Sequence, residues 1–332
     1  MLRGRMRTDL QVIPFANEHV HAAAELLADR QRRMREVRPE LPEAFSRPDA
    51  CHALIGSVME RHDAHGVVAL RGGEMVGYLA GFPQAEPIWG RAAWSPIEGN
   101  ALAADLDPEH VRDLYAPWAQ HFVQRGYFRQ YVHAAADDEP LMAAWVRTGF
   151  GQMQAHAVRD LQLEAEAAPG VSVRRAVPDD IEALDPLLPL IALQLLEPPA
   201  FAIRMPEEIA TYRDSWLEEL SEPGARHLVA AVDGLPQAMA SFYDAEPGPM
   251  VPDRAWELSV AMTLPQARGR GLMRALLAAG FAAAREAGAT HCVTDWRTAS
   301  LPTHRSWTAL GFRATHYRLH RHVDERISWA RG

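Results

Sequence analysis

Trp256-Glu-Leu-Ser-Val-Ala-Met-Thr-Leu-Pro-Gln-Ala-Arg-Gly-Arg-Gly-Leu272 runs from an apolar stretch through a proline into a glycine-rich turn. Residues 257 to 263 mix apolar and β-branched types over strand length, while Leu272, Ala275, Leu276, Ala279 and Ala283 recur at helical spacing. The period changes across the glycines, so Gln266–Gly271 reads as a strand-to-helix turn. Glycines let backbone N–H groups converge on a ligand, and the first N–H groups of the following helix have no partner within it. That arrangement suits a phosphate or pyrophosphate, with Arg268 and Arg270 adding positive charge; an ordinary tight turn with solvated arginines fits the same residues. A Walker loop needs Gly-Lys-Ser/Thr, and the chain has no lysine. A dinucleotide-binding turn needs a third glycine where Arg274 stands.

A length of 332 residues suits two domains of about 160 each. Hydrophobic content of 48% and charged content of 23% describe a soluble globular protein with ample core. The formal net charge of -9 argues against general nucleic-acid binding and favours cationic small substrates. Cys51 and Cys292 carry no spacing motif and read as reduced, buried thiols. No apolar run reaches the roughly 18 residues of a membrane span. Met1–Asp9 is basic with no apolar stretch behind it, so the expected location is cytoplasmic.

The chain repeats itself once. Leu10–Phe15 and Val171–Ala176 each read as a strand leading into a helix, with Asn17 and Asp179 as the expected caps and Val20 matching Ile181 at an offset of 161. Two hairpins, turning at Gly72-Gly73 and at Asp233-Gly234, follow at an offset of 162. Ala143-Ala-Trp-Val-Arg-Thr-Gly-Phe150 then matches Arg305-Ser-Trp-Thr-Ala-Leu-Gly-Phe312, again at 162. Three landmarks in near-constant register make a tandem duplication. The linker is expected at Glu164–Gly170, giving domains of residues 1–167 and 168–332.

Gln266-x-x-Gly269-x-Gly271 resembles the Gln/Arg-x-x-Gly-x-Gly/Ala signature of the GNAT superfamily of acyl-CoA-dependent N-acyltransferases; the overlapping frame Arg268-x-x-Gly271-x-Met273 departs from it by ending on Met. The resemblance implies an α/β (α+β) fold in two tandem GNAT-like domains, each a mixed, mainly antiparallel sheet flanked by helices. In layout the chain is similar to tandem members with one degenerate copy, such as mycothiol synthase. By the same resemblance Arg268, Gly269, Arg270, Gly271, Leu272, Met273 and Arg274 surround the pyrophosphate of acyl-CoA. Ala261, Met262 and Thr263 bind its pantetheine arm and help polarise the thioester carbonyl, a task suited to preorganised backbone donors. The first copy has no glycine between Asn100 and Gly126, and Asp105, Asp107 and Pro108 stand where phosphate-binding amides are needed. It reads as a structural or substrate-shaping domain, and its Arg30–Arg38 run as a solvated helix face.

Transfer of an acyl group to an amine needs a base. Glu257, six residues before Thr263, stands where many family members carry a carboxylate; Asp295, on the adjacent strand, stands where its ribosomal-protein acetyltransferases carry a glutamate. Burial in an apolar strand raises a carboxylate pKa toward the useful range, and either residue could instead pair with an arginine. In the family pattern counted back from Gly311-Phe312, Ser300, Thr303 and Trp307 occupy the Asn, Ala and Tyr positions. An indole does not protonate a thiolate, which leaves His304, Tyr317 or water as the acid. His316, His320 and His322 lack acidic or Cys companions, so no metal site is expected.

The resulting expectation is an N-acetyltransferase using acetyl-CoA, or another acyl-CoA, as cosubstrate. The acceptor is the primary amine of a small molecule or peptide, attacking directly, with neither nucleic acid nor membrane as partner. Residues 189–206 and 244–254, with Trp89, Trp94, Trp216 and Tyr243, are candidates for the acceptor side. The alternative is a non-catalytic acyl-CoA-binding or scaffolding protein.

Overall fold

The computed structural model describes residues 10–163, 170–222 and 224–330. All of the expected linker except Gly170, and with it the boundary near residue 168, lies outside the described residues. In chain order the first half contributes β1 (Leu10–Pro14), α1 (Val20–Val37), α2 (Pro48–Met59), β2 (His65–Arg71), β3 (Glu74–Glu86), β4 (Gly90–Ser95) and β5 (Asn100–Leu102). It continues with α3 (Val111–Val123), β6 (Arg129–Ala135), α4 (Glu139–Arg147) and β7 (Gly151–Asp160). The second half repeats the series as β8 (Val171–Arg175), α5 (Ile181–Leu184), α6 (Leu190–Leu196), α7 (Pro206–Ala210), α8 (Tyr212–Ser221), β9 (Arg226–Val232) and β10 (Leu235–Asp244). There follow β11 (Ala255–Thr263), α9 (Leu272–Glu286), β12 (His291–Arg297), α10 (Leu301–Ala309) and β13 (Arg313–His322).

Both hairpins form where the sequence places them. Gly72 and Gly73 have φ of 63° and 90°, and Asp233 and Gly234 of 51° and 82°. Two left-handed residues in a row match the twist of the flanking strands. The helix starts differ from expectation. A single 3-10 turn, Asn17–His19, precedes α1, and the His19 ring accepts from the Ala16 amide in place of an Asn17 cap. Before α5 it is Asp180, not Asp179, that takes the Val177 amide, while also binding Arg174.

Two compact units result: the described residues of Met1–Met153 with Thr315–Gly332, and those of Gln154–Ala314. Strand order is β1-β2-β3-β4-β6-β13 in the first, with β5 beside β3, and β8-β9-β10-β11-β12-β7 in the second. Every neighbouring pair is antiparallel except β4 with β6 and β11 with β12, so each sheet is mixed and mainly antiparallel. The last strand of each half completes the sheet of the other: β13 pairs with β6, and β7 with β12.

Alternation along the strands supplies two apolar faces per sheet. In the first unit α1 and α2 cover Val68, Tyr78 and Ala80, while α3 and α4 cover Val67, Ala69 and Leu79. In the second, Leu184, Leu187 and Leu220 pack on Val229, Met239 and Met262. The buried stripe of α9 is Leu272, Leu276, Leu277, Gly280, Phe281 and Ala284. A Cβ at Gly280 would come within 2.3 Å of the Phe242 ring, so only glycine lets this helix approach the sheet so closely. The basic run of α1 is not wholly solvated, because Arg30 is only 9% exposed. Cys51 and Cys292 are free and buried, and burial pushes the Cys51 thiol up to about 11. Among the described residues no helix is long and apolar enough to cross a membrane.

Candidate active site

The sheet of the second unit opens between β11 and β12. The last residues of β11 stay paired with β10, from Ala240↔Ala261 to Ala238↔Thr263. The pairing with β12 stops after Ala255↔His291, Trp256↔Cys292 and Glu257↔Val293. The Thr294 hydroxyl donates to the Leu258 carbonyl at 2.8 Å and ties off the last rung. Beyond it, Ser259–Thr263 has no ladder partner on the β12 side among the described residues. Peptide groups on that edge need partners, and an extended ligand with its own amides can supply them.

The turn that follows is built around two positive dihedrals. After a single 3-10 turn at Pro265–Ala267, Gly269 and Gly271 take φ of 76° and 78°, and α9 starts at Leu272. Residues with a Cβ are strained there. A Cβ at either position would meet nothing within 4 Å, so the glycines serve the backbone conformation and leave the space in front of them empty. The first-turn amides of α9 have no acceptor within the helix, which makes this end of the helix receptive to an anion.

These features share one cleft of about 380 Å³. Ala261, Met262 and Thr263 line it along the strand; Arg268, Gly269, Gly271, Leu272, Met273 and Arg274 line it at the turn; Trp307 lines it from α10. Two cofactor-binding candidates do not. Arg270 is exposed to solvent beside the cleft. Ser300 acts indirectly: its hydroxyl lies 2.7 Å from that of Thr303, which lines the cleft and accepts from Gln194 Nε2 at 2.9 Å. Leu190, Ile191 and Gln194 also line the cleft and were missed by the sequence reading, which assigned 189–206 to an acceptor loop. The flanking prolines hid a helix; the apolar run Leu187–Leu196 was the available signal.

Both candidate bases stand on one face of the sheet, and neither is among the residues that line the cleft. Val293 is the register partner of Glu257, and Asp295 lies two residues further along, pointing the same way. Burial raises the Glu257 carboxyl above its ordinary range, and the negative charges of Asp295 and Glu246 raise it further. Neither Glu257 nor Asp295 forms an ion pair among the described residues, which sets aside a simple arginine partnership. On the neighbouring strand Tyr243, opposite Glu257, donates to Glu219 at 2.6 Å. Burial, then Glu219 and Glu257, hold its phenol well above the usual range. His227 packs edge-on against Trp216 and Tyr243, with Nδ1 2.9 Å from the Ser241 hydroxyl. Trp216 and Tyr243 therefore belong to this carboxylate-bearing face, whereas Trp89 and Trp94 pack against each other in the first unit.

The candidate acids are not brought to the cleft. His304 is exposed on α10, its ring 6.0 Å from that of Trp296, and it does not line the cavity. Tyr317 lies on β13, opposite Ala134, and packs against the core of the first unit. The strand exchange removes it from the unit that its place in the sequence suggested. His316 is fully buried and His320 stacks on Tyr131; no group of three or more potential metal ligands occurs among the described residues.

Residues 191–312 match the Acetyltransferase (GNAT) family. The chain is similar in structure to a GCN5-related N-acetyltransferase from Sphaerobacter thermophilus, at 16% identity and a TM-score of 0.57, over 96% of each chain. It is also similar to a GCN5-related glucosamine N-acetyltransferase region of a fungal multi-domain GH3 β-N-acetylglucosaminidase, at 14% identity and a TM-score of 0.52, over 94% of this chain and 38% of that one. A tandem GNAT protein from the clavulanic acid biosynthesis pathway aligns at 17% identity and a TM-score of 0.49, over 95% and 98% of the two chains. No curated protein matches the sequence. A stretch of the second half thus matches the GNAT family model, and 96% of the chain shares the fold of a GCN5-related N-acetyltransferase.

Proposed function

We propose that this protein is an N-acyltransferase that uses an acyl-CoA, first of all acetyl-CoA, to acylate a primary amine of a small molecule or peptide. The observation that carries the reading is the coincidence, in one cleft, of an unpaired strand edge, a double-glycine turn and the start of α9. That combination fits a long ligand with amides at one end and a pyrophosphate at the other. Ala261, Met262 and Thr263 would hold the pantetheine arm, and Arg268, Gly269, Gly271, Leu272, Met273 and Arg274 the pyrophosphate. Arg270 adds charge from the rim, and Ser300 supports Thr303 behind Trp307.

The bound thioester supplies an activated acyl group; the chain supplies position and a base. Glu257 accepts the proton of the incoming ammonium, directly or through water, and its raised pKa suits it to that task. Asp295 keeps that pKa high and adds attraction for a cation. Since no titratable acid lines the cleft among the described residues, the thiolate takes its proton from solvent and not from His304 or Tyr317. We assign the duplication to residues 1–167 and 168–332, with the second copy binding the acyl-CoA.

Titration calorimetry with acetyl-CoA tests the cofactor site: one site per chain is expected, and equal binding by Gly269→Glu/Gly271→Glu would sink the assignment. Thiol release with a panel of amines tests the reaction. Cofactor binding without turnover of any amine would point to the scaffolding alternative.

A further inference from the structure

The cleft along Ala261–Thr263 has one wall that the rest of the unit holds loosely. α6 gives it Leu190, Ile191 and Gln194, and α10 gives it Thr303 and Trp307. A helix of seven residues is too short to be stable alone, so its position depends on what it touches. Ala192 is its one buried residue; Leu190 and Ile191, partly buried, pack against the core around Leu184, Val229 and Met262. In the last turn Leu193 and Leu196 are 48% and 42% exposed. α6 is thus anchored at its start and open to water at its end.

One hydrogen bond crosses from that last turn to α10. Gln194 Nε2 donates to Thr303 Oγ1 at 2.9 Å, and the Thr303 hydroxyl lies 2.7 Å from that of Ser300, the residue from which α10 starts. Among the described residues, the other hydrogen bonds of α6 stay within residues 187–202. Gln194 and Thr303 both line the cleft, so their bond joins two of its walls. Gln194 is exposed, and a hydrogen bond in contact with water shifts an open–closed equilibrium by about fivefold. That strength suits a contact that breaks and re-forms in every turnover.

We propose that α6 is a lid on the cleft and that Gln194 is a positioning residue, which latches the lid to Thr303 so that acyl-CoA enters and leaves only when α6 and α10 part. The proposal rests on the reading of this cleft as the acyl-CoA site. Closed, the two helices flank the ligand and keep water from it; open, the ligand exchanges with solvent. Opening breaks one exposed hydrogen bond and little apolar contact, so it takes far less free energy than unfolding the unit. The latch joins protein to protein, so breaking it speeds entry and exit alike and leaves affinity nearly as it was. Loss of a direct contact with the ligand weakens affinity instead, through exit alone.

The test is a double-mutant cycle on the full chain, with Gln194→Met, Thr303→Val and the two together, in which acetyl-CoA association and dissociation rates are measured by stopped-flow fluorescence. Both rates should rise about fivefold in each single variant, with Kd within about twofold of wild type, and the double variant should be no faster than the faster single one. Hydrogen exchange at residues 190–196 should be faster in Gln194→Met while exchange in β9, β10 and β11 is unchanged, which separates a freed lid from a loosened unit. Three results would overturn the lid: rates unmoved in Gln194→Met, faster dissociation there with a matching loss of affinity, or additive effects in the double variant. Should Thr303→Val fail to fold, the rates in Gln194→Met, which alters an exposed side chain, decide by themselves. A wild type that does not bind acetyl-CoA overturns the cofactor reading and the lid with it, whereas binding with unmoved rates in the variants overturns the lid alone.

Discussion

Where β11 parts from β12, the second unit keeps an open cleft along Ala261–Thr263 and ends it with Gly269 and Gly271. Where β4 parts from β6, the first unit spans the gap with Asn100 and binds the carbonyls of its turn with Arg30, then enters α3 through Asp107-Pro108. The difference extends to the candidate bases. On the parallel strands Trp94 pairs with Tyr131 and Glu257 with Val293, so by register Glu257 corresponds to Trp94, at an offset of 163, and Asp295 to His133, at 162. Turn, cleft and carboxylates differ together, as expected when one copy alone handles the thioester. Close packing also differs. A Cβ at Gly81 on β3 would meet the Trp94 carbonyl at 2.1 Å, so that glycine lets backbone approach backbone, whereas Gly280 of α9 makes room for the Phe242 ring.

The sharpest break in this comparison would come from Glu257→Gln, which gives the second unit an uncharged residue, as the first already has at Trp94. A drop in kcat of about 10²–10⁴ is expected, with acetyl-CoA affinity unchanged; steady-state kinetics beside calorimetry separates the two. Next in size, Gly269→Glu/Gly271→Glu should weaken acetyl-CoA binding about 100-fold or more, roughly 2.7 kcal/mol, by filling the turn with charge the first unit already carries. Gly280→Ala should cost about 1–3 kcal/mol of stability through overpacking on Phe242, read as a lowered midpoint in urea.

The smallest effect concerns pH. Glu257 is basic only when ionised, so kcat should rise with pH along a limb that lies above the ordinary carboxylate range. Asp295→Asn removes a like charge and so lowers the Glu257 pKa, moving that limb to lower pH. A limb unmoved by Asp295→Asn and still present in Glu257→Gln would assign the base elsewhere.

Much of the cleft between β11 and α9 was legible because backbone conformation leaves a local mark. Only glycine readily takes the dihedrals of 269 and 271, and the change from strand to helix spacing across them is visible in the residues alone. The α6 wall was not legible, since the prolines flanking Leu190–Leu196 resemble loop punctuation while the helix is held by its contact with the core. Nor was the burial of Arg30 legible, because a basic run on a helix looks the same whether one member turns inward or all face water.

Period, glycine positions and the near-constant offset between copies determined the fold class, the duplication and the half that carries the open turn. They did not determine which sheet each final strand would join. The segments before β7 and β13 carry the same Trp-x-x-x-Gly-Phe landmark, so each sheet edge can accept a strand from either copy. Strand pairing is set by backbone ladders and face alternation, both nearly identical in duplicated copies. The choice therefore rests on the packing of the whole chain, and it decides where Tyr317 lies.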